Sequence, residues 1–281
     1  MDAPHRFDQS LRIESLAANV WQSKGSALYW NVIGPYGGWI AAMLLHAVQC
    51  EPDARGDPLA LQAQFIGPLA QAPFTVHTHC LRQNRSMAFW RSEIRQAREP
   101  GGEQKVCAQA TVTLGTWRDT FTLADAVMPR VARPEDTALA ATRPGRQPAF
   151  LAHYEMRPLS GAMFAGADTM DSLIWIRDAK PRPLDARALV ALCDAPYPSL
   201  WIRLTGPVLM TTVVFNVFFR ATPARMAAAG AAHVLADSSS AIGQAGYFDQ
   251  SANLWSEDGA LLAQTQQLAW FDEKPLRAPP A

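Results

Sequence analysis

The sequence predicts an α+β protein in which one unit occurs twice, each copy an antiparallel sheet wrapped around a single apolar helix. Three observations point there. Residues 38–48, within GGWIAAMLLHAV, are apolar nearly all round, as in a helix buried on every side. Residues 184–195 show a second helical period, with Leu184, Ala188, Leu189, Ala191 and Leu192 at spacings of three and four. Each helix is followed by strand-like runs in the same order, which is the pattern of a duplicated unit.

Taken in order, ALYWNVIG (27–34) reads as a strand ending in the turn GPYGG (34–38), from which the first helix starts. Four strands follow: LALQAQFIG (59–67), FTVHTHCLR (74–82), SMAFWRSEIRQ (86–96) and KVCAQATVTLG (105–115). Their connections carry the Gly and Pro that turns use. Between about 118 and 149 the periodicity dissolves, and VMPRVARPEDTALAATRPGRQP reads as a linker. The order then restarts. FLAHYEMRPLSG and DSLIWIRD read as strands, 184–195 as the helix, and MTTVVFNVFFRA (210–221) as a strand. The period of 224–237 is ambiguous, but its place in the order predicts a strand near 232–237. AGYFDQSANLWS (245–256) and GALLAQTQQLAWF (259–271) complete the set. Two short matches link the halves: Phe65 with Phe218, and Ala108-Gln109 with Ala263-Gln264, at offsets of 153 and 155. The expected organisation is an N-terminal repeat over 1–118, a linker over 119–149 and a C-terminal repeat over 150–281.

Composition narrows the function. The 25 basic and 25 acidic residues cancel, so no global field favours nucleic acid or an anionic membrane surface. The N-terminus is polar and of mixed charge, unlike a signal peptide. The apolar runs stop well short of the ~20 residues a spanning helix needs. Four scattered cysteines with no CxxC pair suit reduced thiols and a cytoplasmic protein.

In order and spacing, GPYGGWIAAMLLHAV (34–48), FIGPL (65–69), LRQNRS (81–86), LCDAPYP (192–198), TTVVFNVFFR (211–220) and EDGALLAQTQQL (257–268) resemble the double hot-dog acyl-CoA thioesterases of the thioesterase II-like family. The resemblance covers almost the whole chain apart from the linker. It implies hydrolysis of acyl-CoA to free acid and CoA with no cofactor and no metal, and assembly as a homodimer or larger homo-oligomer. It further implies an Asp, a Thr or Ser and a Gln of the second repeat that hold the attacking water. Carried over residue by residue, these fall on Asp194, Thr211 and Gln267. Thr212 and Gln266 are the alternatives, because a one-residue slip turns a strand side chain to the other face. The oxyanion could be held by amides at a helix N-terminus or by Gln267, and the residues leave both open. LRQNRS departs from the family's R-x-G-R-S: Asn84 stands in the Gly place, and Asn tolerates positive φ. Arg82 and Arg85 are candidates for CoA phosphates, with structural ion pairs at a solvated strand end as the equal alternative.

The residues make chemical sense beside that resemblance. Asp185 suits the N-cap of the second helix. Asp194 sits at the opposite end, where the helix dipole disfavours a negative charge and something should compensate. A carboxylate there can accept a proton from water while a hydroxyl and an amide orient it. Other chemistries lack their motifs: there is no G-x-S-x-G elbow and no P-loop or G-x-G-x-x-G string. His77-x-His79 has no third partner at a metal-ligand spacing. Cys193 has no base paired with it and reads as a buried thiol. A hydratase or dehydratase of similar architecture would use D-x-N-P-x-H, whereas DAPYPSLW keeps only the Asp and a Pro. A non-catalytic acyl-CoA binding protein is the third reading. With the offsets above, Thr211 matches Pro58, Gln267 matches Val112 and Asp194 matches Ala41, so a single site in the second repeat is expected.

Overall fold

Alternating burial along the strands, in phase with the two-residue repeat of β structure, gives one curved sheet with both apolar helices on its inner face. The computed structural model describes residues 4–99, 101–141 and 147–275; residues 1–3 of the polar N-terminus, 142–146 of the expected linker and 276–281 of the expected second repeat lie outside the described residues. The first half contains helix α1 (Arg6–Ser10), strands β1 (Glu14–Ala17) and β2 (Val20–Ser23), and helix α2 (Gly37–Gln49). Strands β3 (Asp57–Phe65), β4 (Phe74–Gln83), β5 (Met87–Ala97) and β6 (Gln104–Gly115) follow. The second half begins with β7 (Tyr154–Ser160), β8 (Ser172–Asp178), α3 (Ala186–Cys193) and the short α4 (Ser199–Arg203). It continues with β9 (Val208–Phe219), α5 (Pro223–Ala229), β10 (Val234–Ser239), β11 (Gly243–Gln244), β12 (Tyr247–Ser256) and β13 (Leu261–Pro275).

The strand order is β1-β2-β4-β5-β6-β3-β9-β13-β12-β10-β8-β7, with β11 added to β12. Its two halves mirror one another across β3 and β9, which pair antiparallel around Gln62 and Asn216. One helix per half cannot cover a six-stranded sheet alone, so the two sheets join edge to edge and α2 packs against α3. Ten of the thirteen residues of α2 are buried, as its all-round apolarity requires. The protein is a duplicated hot-dog.

Two expectations need correction. Residues 27–34 form no strand: Trp30 bridges Pro35 and the Asn31 N–H donates to the Gly34 carbonyl, making a tight turn. The outer strands of the first half are instead β1 and β2; β1 is exposed throughout and so has no apolar alternation to read. The match of Phe65 with Phe218 joins opposite faces. Leu61 and Ala63 face inward, as do Phe215, Val217 and Phe219, whereas Phe218 is exposed. Equivalent faces require an offset of 154 in β3 and β9, which pairs Phe65 with Phe219. The Ala108-Gln109 match does keep its faces, since Ala108 and Ala263 are both buried.

The segment 116–133 has no regular structure. Cleavage within it is expected to leave both halves associated, because β3–β9 pairing and the α2–α3 contact do not depend on it. Size-exclusion chromatography of nicked protein checks this, and dissociation into two fragments contradicts it.

Candidate active site

Asp194 is the C-cap of α3, where the chain leaves the helix. Its helix runs antiparallel to α2, so the unfavourable negative end of one dipole meets the positive end of the other. This supplies the compensation that the sequence calls for. The Gly38 N–H lies close enough to the Asp194 carboxylate to favour its charged form. At the other end of α3, the Asp185 side chain accepts from the Ala188 N–H at 2.9 Å as a normal N-cap.

Two glycines allow the approach. A Cβ on Gly37 would lie 2.8 Å from Asp194 Oδ2 and 3.2 Å from the Phe65 ring. A Cβ on Gly38 would lie 2.7 Å from both the Ala191 carbonyl oxygen and the Tyr36 hydroxyl. Tyr36 is buried, stacks on Phe150 with centroids 4.2 Å apart and donates its hydroxyl to Ala191 O. The site is therefore built from both repeats. The residues alone point wholly to the second; the structure adds Gly37, Gly38 and Phe65 from the first. The GG step is visible in the sequence, but only as a turn before a helix.

The polar side chains come from β9 and β13. Gln267 is buried (8% exposed) on the inner face of β13. Its Nε2 donates to Asp194 Oδ1 at 3.0 Å, and its Oε1 accepts from the Thr212 hydroxyl at 2.9 Å. The structure thus brings together Asp194, Gln267 and Thr212, and it does not bring Thr211. Thr211 is exposed, with only a 3.5 Å contact to the Thr212 carbonyl. The cause is a one-residue shift in the ladder: Leu268 pairs with Val214 but Ala269 pairs with Thr212, leaving Val213 as an extra residue. Strict alternation from Phe215 would turn 213 and 211 inward; the bulge reverses the parity and turns Thr212 inward instead. Gln266 points the other way and is exposed.

Electrostatically the site centres on Asp194. Burial raises its pKa to about 7, against the opposing pull of the Gly38 N–H and the Gln267 amide. The carboxyl is thus poised to exchange a proton near neutrality, the range a general base needs. Cys193 beside it is fully buried, and burial pushes its thiol well above the usual range. Among the described residues no group of three His, Cys, Asp or Glu is gathered to hold a metal. His77 instead meets the Thr75 hydroxyl at 3.0 Å.

The mirror-related meeting of the other helix ends is built differently. His46 and Cys50, in the last turn and C-cap of α2, lie near Arg187 and Asp185 at the start of α3. Arg182 and Arg187 are bridged there to Asp8 of α1 and to Asp185, while Phe7 of α1 is buried. Val112 occupies the ladder position that Gln267 holds in the second half, and it is fully buried.

Arg82 and Arg85 lie elsewhere. The ladder row through Phe65 runs through Ala108, Ile94 and Val76. Arg82 is six residues further along β4, roughly 20 Å at the rise of a strand, and Arg85 follows in the exposed turn. Asn84 holds that turn by accepting from the Ser86 and Met87 N–H groups at 2.9 Å each. Its backbone is not among the positive-φ positions, so it replaces Gly by side-chain bonding and not by left-handed geometry.

The comparisons agree with this architecture. The family profile for the acyl-CoA thioesterase N-terminal domain matches residues 26–115, and that for the acyl-CoA thioesterase C-terminal domain matches residues 134–271. A hot-dog protein of unknown function from Alicyclobacillus acidocaldarius is 33% identical with a TM-score of 0.90, covering 97% of this chain and 100% of that one. An acyl-CoA thioesterase II from Mycobacterium marinum is 20% identical with a TM-score of 0.72, covering 95% of this chain and 98% of that one. The dehydratase domain of RzxB from Pseudomonas fluorescens is 12% identical with a TM-score of 0.52, covering 90% of this chain and 94% of that one. No curated protein matches the chain significantly. No helix among the described residues is long and apolar enough to cross a membrane. With both halves matched in order by the two domain profiles of one family, the chain belongs to the double hot-dog acyl-CoA thioesterases and is a thioester hydrolase.

Proposed function

We propose that Asp194, Thr212 and Gln267 hydrolyse the thioester bond of acyl-CoA by activating a water molecule. The observation that carries this is the continuous chain of donors and acceptors from Thr212 through Gln267 to Asp194. Asp194 takes a proton from water as the water oxygen attacks the carbonyl carbon. The tetrahedral intermediate collapses by breaking the C–S bond, and the departing thiolate of CoA takes the proton back from Asp194. Since the Gln267 amide is committed to Asp194, the developing oxyanion is assigned to the N-terminus of α2 at Gly37, where the dipole favours negative charge.

A dehydratase reading is less well supported. The carboxylate's side-chain donor is Gln267, and no histidine is bonded to it among the described residues, so the second acid–base group such chemistry uses is missing. Arg82 and Arg85 stand too far along β4 to join this site within one chain, and a role for them toward CoA phosphates requires the nucleotide end of the ligand to reach that strand end. Exposed Phe121, Leu123 and Val127 fit a homodimer or larger homo-oligomer, which light scattering would detect. Four free cysteines fit a cytoplasmic location.

The test is release of free thiol from a panel of acyl-CoAs. Thr212→Val is expected to lower kcat by about 10-fold or more through loss of one orienting hydroxyl, while Thr211→Val stays near the parent value. Equal effects of the two substitutions would remove Thr212 from the mechanism.

A further inference from the structure

We propose that Tyr36 is a positioning residue for the reaction: its hydroxyl ties the last turn of α3 to the start of α2 and so sets how readily the Asp194 carboxylate carries charge. This rests on the hydrolysis reading for the role of Asp194, but the tie itself is defined by separate atoms.

Tyr36 is the N-cap of α2, a position where Ser, Thr, Asp and Asn are preferred because their side chains accept from the first free N–H groups. Tyr36 makes no such side-chain bond. Its backbone does the capping instead. Its carbonyl accepts from the Trp39 and Ile40 N–H groups at 3.1 Å each, and its own N–H donates to the Tyr29 carbonyl at 2.7 Å. The side chain serves the other helix: its hydroxyl donates to the Ala191 carbonyl. That carbonyl is among the last four of α3, the ones a helix leaves without an intrahelical partner, and the Asp194 N–H reaches it only at 3.2 Å. One residue thus serves the start of α2 and the end of α3.

The ring is held as firmly as the hydroxyl. It is buried, lies within 3° of parallel to Phe150, and meets Tyr154 edge-on with centroids 6.1 Å apart. The Gly37-Gly38 step passes two acceptors of α3. A Cβ on Gly37 would meet the Asp194 carboxylate, and one on Gly38 would meet the Ala191 carbonyl and the Tyr36 hydroxyl together. The carboxylate and the carbonyl that Tyr36 holds therefore stand side by side along one glycine step.

Among the described residues no cation is paired with Asp194. Its side-chain partner is the neutral Gln267 amide of β13, and Thr212 of β9 and Phe65 of β3 bring no charge. The titratable groups that face it are Cys193 of α3, Tyr36, and Tyr154 of β7, with Tyr29 behind Tyr36. Burial keeps all four protonated. Dipoles therefore govern the carboxylate. The carbonyl end of α3 disfavours its charge and the start of α2 favours it. A hydroxyl donating to Ala191 weakens the first effect and keeps the carboxylate close to the second. Packing alone does not require this hydroxyl, since a phenylalanine ring would stack on Phe150 as well.

The experiment compares the full-length parent with Tyr36→Phe and Tyr154→Phe. Tyr36→Phe removes the hydroxyl and keeps the ring; the Asp194 N–H still donates to the Ala191 carbonyl, so the fold survives. The acid limb of kcat/KM for acyl-CoA is expected to move up by roughly half to one pH unit, the size one hydrogen bond carries. Turnover on that limb then falls about 3- to 10-fold, while the alkaline plateau stays near the parent's. Tyr154→Phe removes an equally buried hydroxyl that has no partner, and its pH profile should coincide with the parent's. A second readout needs no turnover. The melting-temperature gap between each protein and its Asp194→Asn counterpart widens with pH until the folded state has lost the Asp194 proton. In Tyr36→Phe that widening should continue to a correspondingly higher pH. A Tyr36→Phe protein that melts lower but keeps the parent's pH midpoint and gap, or a Tyr154→Phe protein that shifts as far, overturns the proposal. A shifted gap without thiol release from acyl-CoA in any of the proteins would leave Tyr36 in its role toward Asp194 and sink the hydrolysis reading; thiol release with an unmoved midpoint would do the reverse.

Discussion

Asp194→Asn is expected to lower acyl-CoA turnover by at least the ~10² that a general base contributes, while making the folded protein more stable at alkaline pH. The two effects have one cause. In the parent, burial lifts the Asp194 pKa to about 7, from roughly 3.9 in the unfolded chain. The folded state therefore holds its proton more tightly than the unfolded state does. The group's contribution to stability is fully present below about pH 4 and is lost as pH rises through 7, by about 1.4 kcal/mol for each pH step between those two values. At pH 8 the parent carries a buried charge that costs a few kcal/mol, and the asparagine variant does not. The hydrogen bonds survive the change: Gln267 can turn its amide, accept from the new Asn amide and donate to the Thr212 hydroxyl, which accepts as readily as it donates.

Thermal unfolding at several pH values checks this against the kinetics. The melting temperature of the variant should exceed the parent's by several degrees at pH 8, with the gap closing toward pH 5. Asp178 is a second buried carboxyl whose pKa burial raises to about 7, but both proteins share it, so their difference isolates Asp194. In the parent, kcat/KM should rise with pH and level off above about 7. A variant that turns over acyl-CoA at the parent rate would leave Asp194 as an ordinary helix-end carboxylate.

The order of elements is legible in the sequence because most strands of this fold keep one face buried and both long helices are apolar. Reading fails where that rule fails. The solvent-exposed β1 carries no alternation, and the strand-like run 27–34 forms a turn in which Tyr29 alone is fully buried while Leu28, Val32 and Ile33 are exposed. The five residues of α4 are too few for a helical period to emerge. In the site, Asp194 is legible as a charge in a place its own helix disfavours, and Gln267 as an amide in an apolar strand. Thr212 in place of Thr211 is not, since a bulge at Val213 reverses facing without any marker in the residues around it. The partner that stabilises Asp194 is also hidden, because it lies about 156 residues earlier in the chain and meets the carboxylate only through antiparallel packing of the two helices.

That partner yields the other large effect: Gly37→Ala is expected to remove most activity with little change in stability. Gly37 is the first residue of α2, and its φ is not among the positive values, so alanine meets no backbone strain there. Alanine at a helical position even gains up to about 1 kcal/mol over glycine in propensity. What the methyl group meets is the site itself, at 2.8 Å from Asp194 Oδ2 and 3.2 Å from the Phe65 ring. The carboxylate has to shift outward, which stretches its bond to Gln267 and moves it from the end of α2, and a displacement approaching 1 Å costs on the order of 10² in rate. Gly38→Ala is the contrast. Its methyl would lie 2.7 Å from the Ala191 carbonyl oxygen and the Tyr36 ring, in the packed seam between α2 and α3, where overpacking costs about 1–3 kcal/mol or more. The expected pattern is a Gly37→Ala protein that melts within a few degrees of the parent yet hydrolyses thioesters roughly 10- to 100-fold more slowly, beside a Gly38→Ala protein that loses both properties. Parent-like kcat/KM in Gly37→Ala would show that the carboxylate need not rest against the end of α2 for the reaction to proceed.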